Sequence, residues 1–205
     1  MSDTETAPEP GSPRQRSLFM RRPDLENLPP VDLPPGYRLR TAGRDDAPAL
    51  SGVLSAAFEE AWDEGAVYAR LFDDATVAAV YLVEREGEPE RRTVVATASS
   101  RLLPDDYPGS GYLHWVGADP AEKGRRLGYH VTLAVLHDFA GRGGLADSVL
   151  ETDDHRLPAI ATYLRCGYVP ELREPTDEAR WDAVRQALRP AAVPFPPYRR
   201  RGADG

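Results

Sequence analysis

Residues 111–139, GYLHWVGADPAEKGRRLGYHVTLAVLHDF, followed by SVLETD at 148–153 and RLPAIATYLRCGYVP at 156–170, decide how this chain folds. Tyr112 to Ala118 reads as a strand, and Lys123-Gly124-Arg125-Arg126-Leu127-Gly128 as a basic glycine turn. Beyond the turn Leu127, Val131, Ala134 and Val135 recur at helical spacing, with Leu133, Leu136 and Ala140 on a neighbouring face. The helix over about 126–140 is therefore largely buried and its start rigidly placed. Ser148 to Thr152 predicts a second strand, Pro158 to Cys166 a second helix that Gly167 stops in a left-handed conformation, and Tyr168 to Leu172 a third strand.

The charges at the turn run against the usual preference. A helix start presents unpaired N–H groups and the positive end of the helix dipole, so it favours acidic neighbours. Here it carries Lys123, Arg125 and Arg126. Three cations at that point repel one another, a conflict that a bound polyanion such as a pyrophosphate would relieve. Gly124 and Gly128 would let the backbone approach phosphate oxygens without a Cβ in the way. The alternative is a solvated loop in which arginines fall by composition, since Lys123 is the only lysine and arginine supplies the rest of the positive charge.

This order of elements resembles the acetyl-CoA-binding half of the GNAT superfamily of N-acetyltransferases, over about residues 36–172. The turn resembles that family's Q/R-x-x-G-x-G/A signature, and Tyr163-Leu164-Arg165-Cys166-Gly167-Tyr168 resembles its Y-E-K-x-G-F. The resemblance implies an α/β fold with a central, mostly antiparallel, twisted mixed sheet, helices on both faces, and a splay between the fourth and fifth strands. It implies acetyl transfer from acetyl-CoA to a primary amine, with a small-molecule acceptor, by direct attack in a ternary complex and without a metal. Val116, Gly117 and Ala118 would bond the pantetheine arm. Lys123, Gly124, Arg125, Arg126, Leu127, Gly128 and Tyr129 would hold the pyrophosphate. Two positions depart from the pattern: Arg126 stands at the family's central glycine, and Arg156 at the asparagine that commonly opens the second helix, where it would meet a coenzyme phosphate or stay solvated.

Tyr163 occupies the position of the family's general acid, which protonates the departing thiolate; an ordinary core tyrosine would instead have its hydroxyl bonded. Strand alternation puts Tyr112, His114 and Val116 on one face, and histidine is the residue type suited to taking a proton near neutrality. That position also resembles the histidine-bearing strand of arylalkylamine acetyltransferases, whereas other branches use a glutamate or a water chain. Acceptor contacts are expected from the first two helices and their connection, at Phe58, Glu59, Glu60, Trp62 and Asp63, together with Tyr112. A non-catalytic acyl-CoA-binding module of the same fold and a protein N-acetyltransferase are the alternatives.

The rest of the chain frames this reading. At 205 residues it suits one well-buried domain. Gly36 to Ala42 reads as a strand, Pro48 to Phe58 and Glu59 to Phe72 as helices, and Val77 to Val83 with Thr93 to Ser100 as a hairpin. Trp181, Val184 and Leu188 mark a surface helix. The family often ends in an antiparallel hairpin, but no strand pattern is legible after Leu172. Eight of the 20 prolines fall before residue 36 and four after residue 189. The expected layout is thus a flexible or wrapped extension over 1–35, a domain over 36–189 and a Pro/Arg-rich tail over 190–205. A net charge of −8 argues against nucleic acid. The lone Cys166 excludes an internal disulfide, and no histidine sits in a metal-ligand pattern. With no signal peptide and no apolar run long enough to cross a membrane, a cytoplasmic monomer or homodimer is expected.

Overall fold

The computed structural model describes residues 16–58, 60–87 and 93–200. Its centre is an eight-stranded sheet: β1 (Leu18–Arg22), β2 (Tyr37–Thr41), β3 (Val77–Arg85), β4 (Thr93–Leu102), β5 (Ser110–Ala118), β6 (Asp147–Thr152), β7 (Val169–Leu172) and β8 (Arg199–Arg200). The spatial order is β2-β3-β4-β5-β6-β1-β7-β8. Only β5–β6 and β7–β8 are parallel pairs. Two helices, α1 (Ala47–Ala57) and the short α2 (Glu64–Val67), cover one face through Leu50, Val53, Leu54 and Val67, with Trp62 of their connection. On the other face lie α3 (Leu127–Arg142), α4 (Leu157–Arg165) and α5 (Asp177–Leu188), packed through Val131, Val135, Phe139, Ile160, Leu164 and Trp181. The single helix expected over 59–72 is instead α2, capped by Asp63 accepting the Ala66 N–H at 2.7 Å, followed by a π turn at Tyr68–Phe72.

Sequence reasoning set the start of the domain too late. Leu18, Phe19 and Met20 have 0%, 2% and 0% of their surface exposed, because β1 runs antiparallel between β6 and β7. Proline composition hid a five-residue strand lying inside the sheet. After β1 the chain packs Leu25, Leu28, Val31 and Leu33 against the core on its way to β2 at the far edge, and the Pro29 carbonyl lies 2.9 Å from His137 Nε2. The C-terminal tail is corrected likewise. Phe195 meets Trp181 at 6.2 Å between ring centroids, and Arg199–Arg200 pairs alongside β7. Among the described residues no antiparallel hairpin follows β7; the strand antiparallel to it is β1.

The splay arises where β5 and β6 part. They pair at Ser110↔Asp147, Gly111↔Ser148 and Tyr112↔Val149 and no farther. On its other side β5 carries a bulge: Thr97 faces Gly117 and Ser99 faces His114, so Ala98 opposes both Trp115 and Val116. The extra residue is Trp115, in the left-handed region at φ 47°. The bulge also breaks the alternation. Trp115 packs with the α1 side, whereas Val116 packs with the α3 side, so Val116 does not share a face with Tyr112 and His114.

Candidate active site

A cleft of about 700 Å3 opens at the splay, between the end of β5, the start of α3 and the start of α4. The turn that forms one wall is pinned from behind. Glu122, 8% exposed, accepts the Tyr37 hydroxyl at 2.6 Å and Arg85 Nη1 at 3.0 Å and forms an ion pair with Arg125 Nε at 3.1 Å, which ties the turn to β2 and β3. Gly124 and Arg126 both take left-handed backbone, at φ 91° and 58°, so a side chain stands at a position that favours glycine. Its guanidinium lies over the Tyr129 ring at 4.5 Å. A Cβ placed on Gly128, in the first turn of α3, would meet nothing within 4 Å.

Lys123, Gly124, Arg126, Leu127, Gly128 and Arg156 line the cleft, as do Val116, Gly117, Ala118 and Phe58. Lys123, Arg126 and Arg156 have no carboxylate partner among the described residues, so three free cations line the cleft, Lys123 and Arg126 at the start of α3 and Arg156 at the start of α4. Arg156 rests on the Phe58 ring at 4.1 Å. Arg125 and Tyr129 are not brought into the cleft: Arg125 is held on Glu122 and over Tyr37, and Tyr129 lies under Arg126 and against His130. Gly117 has a packing reason as well, since a Cβ there would come within 2.9 Å of the Ala57 Cβ.

Tyr163, on α4, reaches the cleft with 7% of its surface exposed. Burial pushes its hydroxyl up to about 12, with Arg156 pulling the other way. Among the described residues this hydroxyl has no hydrogen-bond partner, whereas the neighbouring Tyr168 hydroxyl lies 2.6 Å from Ser148 Oγ. One of the two is a satisfied core tyrosine; the other is free to act in the cleft.

His114 does not line the cleft. It lies between the Tyr112 and Trp115 rings, and Arg101 Nη1 is 3.5 Å from its Nδ1. A guanidinium only donates, so Nδ1 is the acceptor there. Burial, then the Arg101 charge, push the imidazole down to about 4, against a smaller opposing pull from Asp74. This is the environment of a neutral, hydrogen-bonded residue, and the strand-face argument placed it wrongly because the bulge turns the chain beyond it. Tyr112 stacks on Tyr107 at 5.5 Å, away from the cleft. Trp62 is 5% exposed and forms an aromatic cluster with Trp115 and Phe58. Glu59 lies outside the described residues. Sequence reasoning missed Glu122, Asp153 and His155, of which the last two line the cleft from the β6–α4 connection. Among the described residues no group of three His, Cys, Asp or Glu could hold a metal, and no helix is long and apolar enough to cross a membrane.

Residues 47–168, which include the splay of the mixed sheet and the glycine turn at the start of α3, match the acetyltransferase (GNAT) family model. The chain belongs to that family. Among curated proteins it is similar to the mycothiol acetyltransferase of Nocardia farcinica (strain IFM 10152), with 32% identity over 164 residues, 76% of this chain and 53% of that protein. A mycothiol acetyltransferase of Kytococcus sedentarius is 34% identical over 170 residues, covering 76% and 54%. The chain thus spans about half the length of these relatives. Among solved structures, a GCN5-related N-acetyltransferase from Sphaerobacter thermophilus superposes with a TM-score of 0.57 at 18% identity, over 76% of this chain and 49% of that one. A GNAT-family putative acetyltransferase from Novosphingobium aromaticivorans gives 0.53 at 22%, over 80% and 65%. At these identities the likeness concerns the fold.

Proposed function

We propose that this protein transfers an acetyl group from acetyl-CoA to a primary amine of a small molecule by direct attack in a ternary complex. The observation that carries this is the joining, in one cleft, of three cations without a carboxylate partner, at the starts of α3 and α4, with a buried tyrosine whose hydroxyl has no hydrogen-bond partner among the described residues. The cations and the N–H groups of Leu127 and Gly128 suit a pyrophosphate. The backbone of Val116–Ala118, not paired with β6 and lining the cleft, suits an amide-bearing arm running through the splay. The name of the relatives, mycothiol acetyltransferase, favours a small-molecule acceptor.

Attack of the amine nitrogen on the thioester carbonyl forms the C–N bond, and breaking the C–S bond releases a thiolate. Tyr163 donates its proton to that sulfur, and the tyrosinate formed is restored from solvent. The amine's own proton leaves through water in the open cleft, since His114 is turned aside and already bonded. Incubating the protein with acetyl-CoA and a panel of amines, followed by free-thiol release and the mass of the product, tests the proposal. Thiol release that depends on the amine and a product 42 Da heavier, roughly the mass of an added acetyl group less one hydrogen, are expected. Tight acyl-CoA binding with no transfer to any amine would favour a non-catalytic binding module.

A further inference from the structure

Among the described residues four carboxylates line the cleft, and three have structural duties. Glu60 is paired with Arg70, and Glu122 is held by Arg85, Arg125 and Tyr37. Asp119 accepts the Ala121 N–H at 2.8 Å, capping the turn that leads to Lys123. Asp153 differs. Its side chain accepts only the Ser17 hydroxyl, at 3.2 Å, and no cation pairs with it among the described residues. Its place follows from topology: β1 runs antiparallel to β6 with Leu18 opposite Thr152, so Ser17 arrives where β6 ends and Asp153 turns toward α4.

The cleft therefore has uncompensated charge of both signs. Lys123, Arg126 and Arg156 attract a polyanion, while an exposed, unpaired carboxylate repels one and attracts a cation. We propose that Asp153 binds the ammonium form of the acceptor amine, with Ser17 orienting its carboxylate. This rests on the transfer reaction proposed above and moves acceptor recognition from the first two helices to the β6–α4 connection and the strand that precedes the domain start read from sequence. A charge-assisted hydrogen bond of this kind discriminates by about 10- to 100-fold.

The test uses the full chain and compares primary alkylamines, cationic at neutral pH, with aniline-type amines, which are neutral there. In Asp153→Asn, which keeps an oxygen for Ser17, KM for the alkylamine should rise about 10-fold or more. KM for the arylamine should stay, and acetyl-CoA affinity should stay or tighten, because a like charge beside the anion is gone. Asp153→Glu should recover part of the loss, and Ser17→Ala should lose a few-fold in the same direction. Equal losses for both amine classes, a parallel loss of acetyl-CoA affinity, or unchanged KM would overturn the assignment. A wild-type protein that acetylates no amine would instead refute the transferase reading, and this inference with it.

Discussion

Tyr163 and Tyr168 stand five residues apart, both buried, yet only the second has its hydroxyl bonded. That difference separates a chemical group from a packing one. Tyr163→Phe removes an oxygen that makes no hydrogen bond among the described residues, so the fold should be kept, acetyl-CoA affinity should change little, and turnover should fall by about 10²- to 10⁴-fold. Steady-state kinetics beside a binding titration checks this; an equal drop in affinity would make Tyr163 structural. His114 gives a test of a different kind. Its imidazole is pushed from 6.5 to about 4 when folded, so the unfolded chain takes up a proton more readily. The resulting stability is complete above pH 6.5 and is lost as pH falls through 4, an effect on the order of 3 kcal/mol. Denaturant midpoints between pH 7 and pH 4 should fall less steeply in His114→Gln than in the wild type, while the acidic limb of its turnover profile should match the wild type. A flattened limb in the variant would return the general base to His114.

β1 shows where an element's role outruns its local pattern. Leu18, Phe19 and Met20 are three apolar residues between arginines in a proline-rich stretch, and nothing nearby in sequence announces their partners in β6 and β7, more than 120 residues away. Burying each of these side chains contributes about 1.5–3 kcal/mol, which for three approaches the whole stability of a typical domain. Removing residues 1–35 should therefore abolish cooperative thermal unfolding followed by circular dichroism; a wild-type transition in the truncated chain would show that β1 is dispensable. By contrast β5, α3, β6, α4 and β7 were legible, because each carries its own periodicity and the turn and helix stop are marked by Gly124, Gly128 and Gly167. The bulge at Trp115 was not. A tryptophan in left-handed backbone is set by the cluster it forms with Phe58 and Trp62 and by its pairing to β4, which no alternation pattern contains. That one residue misplaced Val116 on the face of His114.

The molecule carries a net charge of −8 and still gathers Lys123, Arg126 and Arg156, without a carboxylate partner among the described residues, in one cleft at the starts of α3 and α4. Elsewhere several arginines are matched to acid: Arg21 to Glu171 and Asp147, Arg101 to Asp74, Arg142 to Asp138. The turn could be read from sequence because its cations contradicted the helix dipole. Glu122 and Asp153 could not, because their roles depend on β2, β3 and β1 arriving from distant parts of the chain. The account as a whole depends on that turn holding the coenzyme, and Gly128→Asp addresses it directly. The new Cβ meets nothing within 4 Å, so the fold should survive while a negative charge enters the place assigned to the pyrophosphate. In calorimetric titration with acetyl-CoA the wild type is expected to bind saturably at one site and Gly128→Asp, shown to be folded by its thermal transition, to give no saturable heat. Equal affinity in the two proteins would contradict the account.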